Sequence, residues 1–180
     1  MILTYKDCIA KYGNAYRVKK AKKLNKIIKL APGIYSTNAK SSKTVALAKK
    51  HSKAVFAGEY AFYLHGLTDV VPEKYFLATP SKAAKISDAE VKQLYVRDNI
   101  FELGIEEMEI DDDKIKIYSK ERMLLELLRN KNTIPPDLYK EIVNNYRRII
   151  HTLRFRQIEE YLRLFPKQKK ISKALREEIL

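Results

Sequence analysis

The chain has 180 residues, with 36 Lys+Arg against 22 Asp+Glu for a formal net charge of +14. A content of 46% hydrophobic and 32% charged residues is a globular balance, which excludes wholesale disorder and leaves room for one or two small domains. One cysteine, Cys8, excludes an internal disulfide, and three histidines without Cys/His spacing exclude a zinc module, so neither a metal nor a cofactor is expected. No run approaches the roughly 20 apolar residues of a membrane span. Met1-Ile2-Leu3-Thr4-Tyr5-Lys6-Asp7 lacks the basic-then-apolar order of an export signal, and a soluble cytoplasmic protein is expected.

The charge is unevenly placed. Residues 1–53 hold 14 basic residues and one acid, Asp7, so nearly the whole excess lies in the first third. Residues 54–139 hold 11 basic and 16 acidic groups, and residues 140–180 hold 11 and 5, a second and weaker basic region. Such asymmetry points to a polyanion-binding module joined to something else.

The basic third is patterned. Tyr5, Cys8, Ile9 and Tyr12 fall at i, i+3, i+4 and i+7, with Thr4 and Asp7 as a variant capping box and Gly13 as the stop, which predicts a short amphipathic helix. Asn14 then caps a second helix whose inner face is Ala15, Val18, Ala21 and Leu24, while Arg17, Lys19, Lys20, Lys22, Lys23 and Lys26 face outward. Ile27-Ile28-Lys29-Leu30, the turn Ala31-Pro32-Gly33 and Ile34-Tyr35 read as a hairpin. Helix, turn, basic helix and hairpin predict a winged helix-turn-helix, with the second helix in a major groove and the hairpin over flanking phosphates. A lysine-rich helix is ordinarily a solubilising face, but such faces carry interspersed Glu, and this one has none. The expected DNA-binding residues are Asn14, Tyr16, Arg17, Lys19, Lys20, Lys22, Lys23, Lys26 and Lys29. The lysines suit phosphates, and Arg17, Asn14 and Asn25 suit base edges. Tyr16 suits either stacking or core packing.

Asn38 to Lys43 reads as a polar linker, with Ser41 and Ser42 placed to cap a helix over 44–50 and a domain boundary near residue 40. The expected domains are 1–40 and 44–180. A short helix from Glu59 stops at Gly66. Strands are predicted over 75–79, 92–96, 100–105, 109–110 and 114–118, the last two joined by Asp111-Asp112-Asp113. Ser119 caps a helix with Met123, Leu124, Leu127 and Leu128 inside. Pro135-Pro136-Asp137 opens another, Ile158, Tyr161, Leu162 and Phe165 mark a third, and Ser172 starts a short last one. The class is α+β: a small N-terminal winged helix-turn-helix, then a mixed sheet of four or five strands with C-terminal helices.

Three stretches then carry a family likeness: Pro32-Gly33-Ile34-Tyr35, Ala61-Phe62-Tyr63-Leu64-His65-Gly66-Leu67-Thr68-Asp69 followed by Pro72, and Ile117-Tyr118-Ser119-Lys120-Glu121-Arg122-Met123-Leu124-Leu125-Glu126-Leu127. In this order, over roughly residues 4–128, the chain resembles the AbiEi family of antitoxins of bacterial abortive-infection toxin–antitoxin systems. The resemblance implies a winged helix that represses its own operon and a C-terminal domain that counteracts a nucleotidyltransferase-like toxin. One departure is that family members often have a further helix ahead of the one starting here at Thr4, where only three residues precede it.

Other candidate sites carry less. Asp111-Asp112-Asp113 has the carboxylates of a metal site but sits in a predicted turn, which acids favour anyway. Asp69, Glu90 and Lys92 faintly match a metal-dependent nuclease. His65 at a helix end reads as a packed histidine, Glu121 as a first-turn dipole partner, and Arg122 as the partner of a nearby acid. Arg147, Arg148, Arg154, Arg156 and Arg163 suit an interface or a solvated face. No Ser or Cys elbow and no phosphate loop occurs, so no catalytic residue is expected. The reading is a non-enzymatic antitoxin and autorepressor that binds an inverted repeat in duplex DNA, as a dimer or as cooperating monomers. The alternative is a toxin-neutralising module whose basic arm binds RNA or an acidic partner.

Overall fold

The computed structural model describes residues 1–37 and 43–180. It is an α+β protein that divides into two compact units, Met1–Ala54 with Glu107–Lys116, and Val55–Glu106 with Ile117–Leu180. The first unit therefore runs beyond the expected boundary near residue 40. The predicted linker and the Ser41 and Ser42 caps lie outside the described residues.

In the first unit β1 (Ile2–Thr4) leads into α1 (Tyr5–Tyr12), α2 (Ala15–Lys23), β2 (Ile28–Ala31), β3 (Ile34–Ser36) and α3 (Lys43–Lys50). The three strands form an antiparallel sheet in the order β1-β3-β2. β1 is absent from the sequence reading because three residues are too short to show a period. Its register pairs Leu3 with Tyr35, and these two face the core of Cys8, Val18, Ala21 and Ile27 under α1 and α2. Alternation sends Ile2, Ile34 and Ser36 to the opposite face, and α3, with Val45, Ala46 and Leu47 buried, packs on β1, β2 and β3. That packing is why α3 belongs with the N-terminal residues rather than with the rest of the chain.

The expected capping box is present: the Asp7 amide donates to Thr4 Oγ1 at 3.2 Å, and the Thr4 amide donates to Asp7 Oδ2 at 2.9 Å. Three expected core positions are not core. Tyr5 and Ala15 are exposed, and Leu24 lies past the end of α2 with 57% of its surface open. For Leu24 the cause is the helix stop. Asn25 adopts a left-handed φ of 54°, its amide donates to the Lys22 carbonyl, and that of Lys26 donates to the Ala21 carbonyl. This double bond closes the helix and turns Leu24 outward. Ile27 fills the core in its place.

In the second unit a five-stranded mixed sheet runs in the order β6-β5-β4-β8-β7. Its strands are β4 (Val55–Phe56), β5 (Tyr75–Pro80), β6 (Val91–Val96), β7 (Ile105–Ile110) and β8 (Asp113–Tyr118), the tip of the last pair, Glu107–Lys116, being grouped with the first unit. β4 is antiparallel to β5 and parallel to β8, and β5 is parallel to β6. The helices are α4 (Gly58–Leu64), α5 (Asp98–Phe101), α6 (Lys120–Arg129), α7 (Pro136–Ile149), α8 (Phe155–Leu164) and α9 (Gln168–Glu178). α4 stops at Gly66 as expected, with the Leu67 amide donating to the Phe62 carbonyl. Ser119 Oγ caps α6 through the Arg122 amide.

Two predicted elements differ. The strand expected over 100–105 is the helical turn α5, because the adjacent Ile100 and Phe101 are both buried, which a half-buried strand does not allow. The terminal helix begins at Gln168 rather than at Ser172. Lys167 takes a left-handed φ of 64° ahead of it, and Ile171, Leu175 and Ile179 recur every fourth residue on its buried face.

Candidate nucleic-acid interface

α2 is a nine-residue helix fixed at both ends, by Asn14 Oδ1 accepting from the Arg17 amide at 2.9 Å and by the double bond at Asn25. Its buried positions are Val18 and Ala21. At about 100° per residue, the direction opposite that pair is occupied by Tyr16, Lys19, Lys20 and Lys23, which stand at i, i+3, i+4 and i+7. All four are exposed, Tyr16 at 74%. Arg17 and Lys22 flank this stripe. Lys26, predicted on the helix, sits in the turn after it, and Lys29 stands exposed on β2.

Among the described residues none of Arg17, Lys19, Lys20, Lys22, Lys23, Lys26 and Lys29 takes part in an ion pair. Three of the unit's acids are committed elsewhere. Asp7 is held in its capping box, where the Thr4 hydrogen bonds keep its carboxyl below the usual range. Asp113 accepts from the Ile2 amide at 3.3 Å and pairs with Lys49 at 3.2 Å. Glu107 pairs with Lys114. The positive face thus stays unneutralised, while Lys20, Lys22 and Lys23 in the last turn also complement the helix dipole.

The candidates for base edges divide. Asn14 is bound up in its cap through Oδ1, and Asn25 is accounted for by its left-handed cap conformation, which Asn tolerates better than most residues. Arg17 keeps its full set of donors. Gly33, at φ 77°, forms the hairpin turn, and its carbonyl accepts from the Tyr5 amide at 2.7 Å, so the hairpin is anchored to the start of α1.

Several of the remaining candidates have structural roles. Asp111 and Asp112 have φ of 51° and 62°, the consecutive left-handed pair of a two-residue hairpin turn. No cluster of three or more metal-ligating side chains occurs among the described residues. Lys92 lies over the Phe76 ring at 4.7 Å. His65 Nε2 is 2.7 Å from the Tyr118 carbonyl oxygen, which only accepts, so Nε2 carries the proton, and burial holds the ring below the ordinary imidazole range. Of the C-terminal arginines, Arg147 donates to the Glu178 carbonyl, Arg148 to Asn145, Arg156 to Glu160, and Arg154 to Glu121. Those four are held by internal partners.

Glu121 is buried at 3% exposure. Burial alone would push its carboxyl up, but the Arg154 amide, Nε and Nη2 at 3.0–3.1 Å together outweigh it and bring the value to about 2. The folded value lies below the ordinary glutamate value of 4.5, so the stabilisation is complete above that pH and is lost as pH falls through about 2. Allowing for screening at the half-exposed Arg154, it is on the order of 2 kcal/mol. Urea titrations from neutral to acid pH should show that loss, and Glu121→Gln should flatten it.

No family model matches the chain, and no curated protein matches it. Among solved structures, the crystal structure of the RV2827C protein from Mycobacterium tuberculosis is similar in fold, with a TM-score of 0.65 at 13% sequence identity, over 98% of this chain and 71% of that one.

Proposed function

We propose that the N-terminal unit is a winged helix-turn-helix that binds duplex DNA, and that the protein is the antitoxin and autorepressor of a toxin–antitoxin operon, acting against a nucleotidyltransferase-like toxin. The observation that carries the DNA reading is the exposed Tyr16, Lys19, Lys20, Lys23 stripe on a doubly capped helix with no acid paired to it. The two-residue connection Gly13-Asn14 between α1 and α2, and the strand order β1-β3-β2 with a hairpin after the second helix, support the winged reading. α3 covers one face of the three-stranded sheet. The antitoxin part rests on the family resemblance of the three sequence stretches.

Phosphate contacts by lysine release counterions, so affinity for a duplex falls steeply with salt. With four to six lysines engaged, a plot of log K against log salt has an expected slope of about −4 to −5. Fluorescence anisotropy with a labelled duplex between about 50 and 200 mM salt measures it. A slope near zero would end the DNA reading. The exposure of Tyr16 favours a second reading, stacking on single-stranded RNA. An RNA strand that outcompetes the duplex in the same assay would select it.

A further inference from the structure

The second unit contains a cavity of about 400 Å³ walled by α4, α6, β5 and β6. That volume is within the roughly 300–1,000 Å³ of small-molecule sites. Phe62, Phe76, Leu94, Met123 and Ile134 give it apolar walls, and Lys92, Arg129 and Asn130 give it donors. Behind the donors lies an unbalanced charge cluster. The Glu126 carboxylate accepts from Arg122 Nη2 at 2.8 Å on one oxygen, and from Arg129 Nη2 at 2.6 Å and Asn130 Nδ2 at 3.1 Å on the other. Two guanidiniums thus share one carboxylate. Arg122 is wholly buried, its flat faces covered by the Tyr118 and Phe165 rings with centroids at 4.9 and 4.1 Å.

Rings screen the faces of a guanidinium but do not accept its in-plane N–H groups. Arg122 Nε and Nη1 and Arg129 Nε are buried without an acceptor among the described residues, and of the two arginines Arg129 lines the cavity while Arg122 lies behind it. A buried cation in excess of its counter-charge is costly, and an added anion with acceptor oxygens offsets that cost. Glu59, the other carboxylate on the wall, makes no ion pair with either arginine, and Lys92 on the same wall balances its charge.

We propose that this cavity is a binding site for a small organic anion, with a carboxylate head received by Arg129 and Asn130 and an aromatic body held between Phe62, Phe76 and Met123. The site lies wholly within the second unit and does not depend on nucleic-acid binding by the first.

Benzoate, its neutral analogue benzyl alcohol and inorganic phosphate are the probes, each titrated into the full isotopically labelled chain and followed by amide shifts. Benzoate is expected to move the resonances of Lys92, Arg129 and Asn130 and to bind at least about tenfold more tightly than benzyl alcohol, as a charge-assisted contact requires. Phosphate weaker than benzoate at the same resonances supports the apolar body, and phosphate equal to or tighter than benzoate overturns it. Arg129→Gln is expected to weaken benzoate about tenfold or more. Arg129→Lys keeps a cation beside Glu126 but lacks Nε, so it guards against a folding defect and is also expected to weaken binding. Equal binding of benzoate and benzyl alcohol, no binding of benzoate, or unchanged affinity in a folded Arg129→Lys would each overturn the proposal.

Discussion

Alanine in place of Lys19, Lys20, Lys22 and Lys23 is expected to abolish the shifted band that the wild-type chain gives with duplex DNA, and to leave the protein folded. Each of the four side chains is exposed, and Val18 and Ala21, the buried residues of α2, are untouched. Alanine has the highest helix propensity, so the helix should persist between its caps. Each lysine removed takes about one counterion with it, so the salt slope falls by about 4 and affinity by more than roughly a hundredfold at moderate salt. The control is a thermal melt by circular dichroism, in which the variant should match the wild type to within a few degrees. Unchanged binding in a folded variant would remove the lysines from the interface.

The largest expected effect on stability is at Arg122. Its side chain is the largest of the fully buried ones, stacked between two rings and bonded to Glu126. Arg122→Ala opens a large void between Tyr118 and Phe165, while Glu126, mostly buried at 13% side-chain exposure, keeps Arg129 as its partner. Loss of packing and of the hydrogen bond to Glu126 each act, for a total of about 3–5 kcal/mol. Urea denaturation should show it as a lower midpoint with an unchanged slope. Arg122→Met keeps the volume and the ring contacts and also removes the uncompensated charge, so it should cost much less. Equal losses for the two variants would mean that the charge, and not the packing, holds the site together.

The sequence was most legible where a local rule had one answer. Thr4 with Asp7, Asn14, Gly66 and Ser119 are caps whose chemistry is complete within four residues, and the structure uses them so. The basic face was legible for the same reason, since a helix of known start fixes which side each lysine takes. Leu24 departs from its expected core position because a period gives no length: an Asn in the left-handed region two residues after Lys23 ends the helix, and only Ile27 then reaches the core. α5 is hidden in the sequence because Ile100 and Phe101 are apolar in any conformation, and burial of both decides for a turn of helix.

Long-range pairing was hidden. Asp113 binds the Ile2 amide across 111 residues, and Glu121 meets Arg154 across 33. The sharing of Glu126 by Arg122 and Arg129 has an i,i+4 and an i,i+3 spacing that a helix makes obvious, but the rings that bury Arg122 come from Tyr118 and Phe165, and nothing local joins them. A short apolar pair such as Ile2-Leu3 before a capping Thr is the one signal that could have announced β1.

The proposed interface is tested most directly by mapping it. A short duplex titrated into the isotopically labelled full chain at about 50 mM salt should move the amide resonances of Tyr16 to Lys29 and of the hairpin turn at Gly33. It should leave those of Met123 to Leu128, in the interior of α6, in place. Shifts confined to the second unit, or none at that salt, would contradict binding through the lysine face of α2.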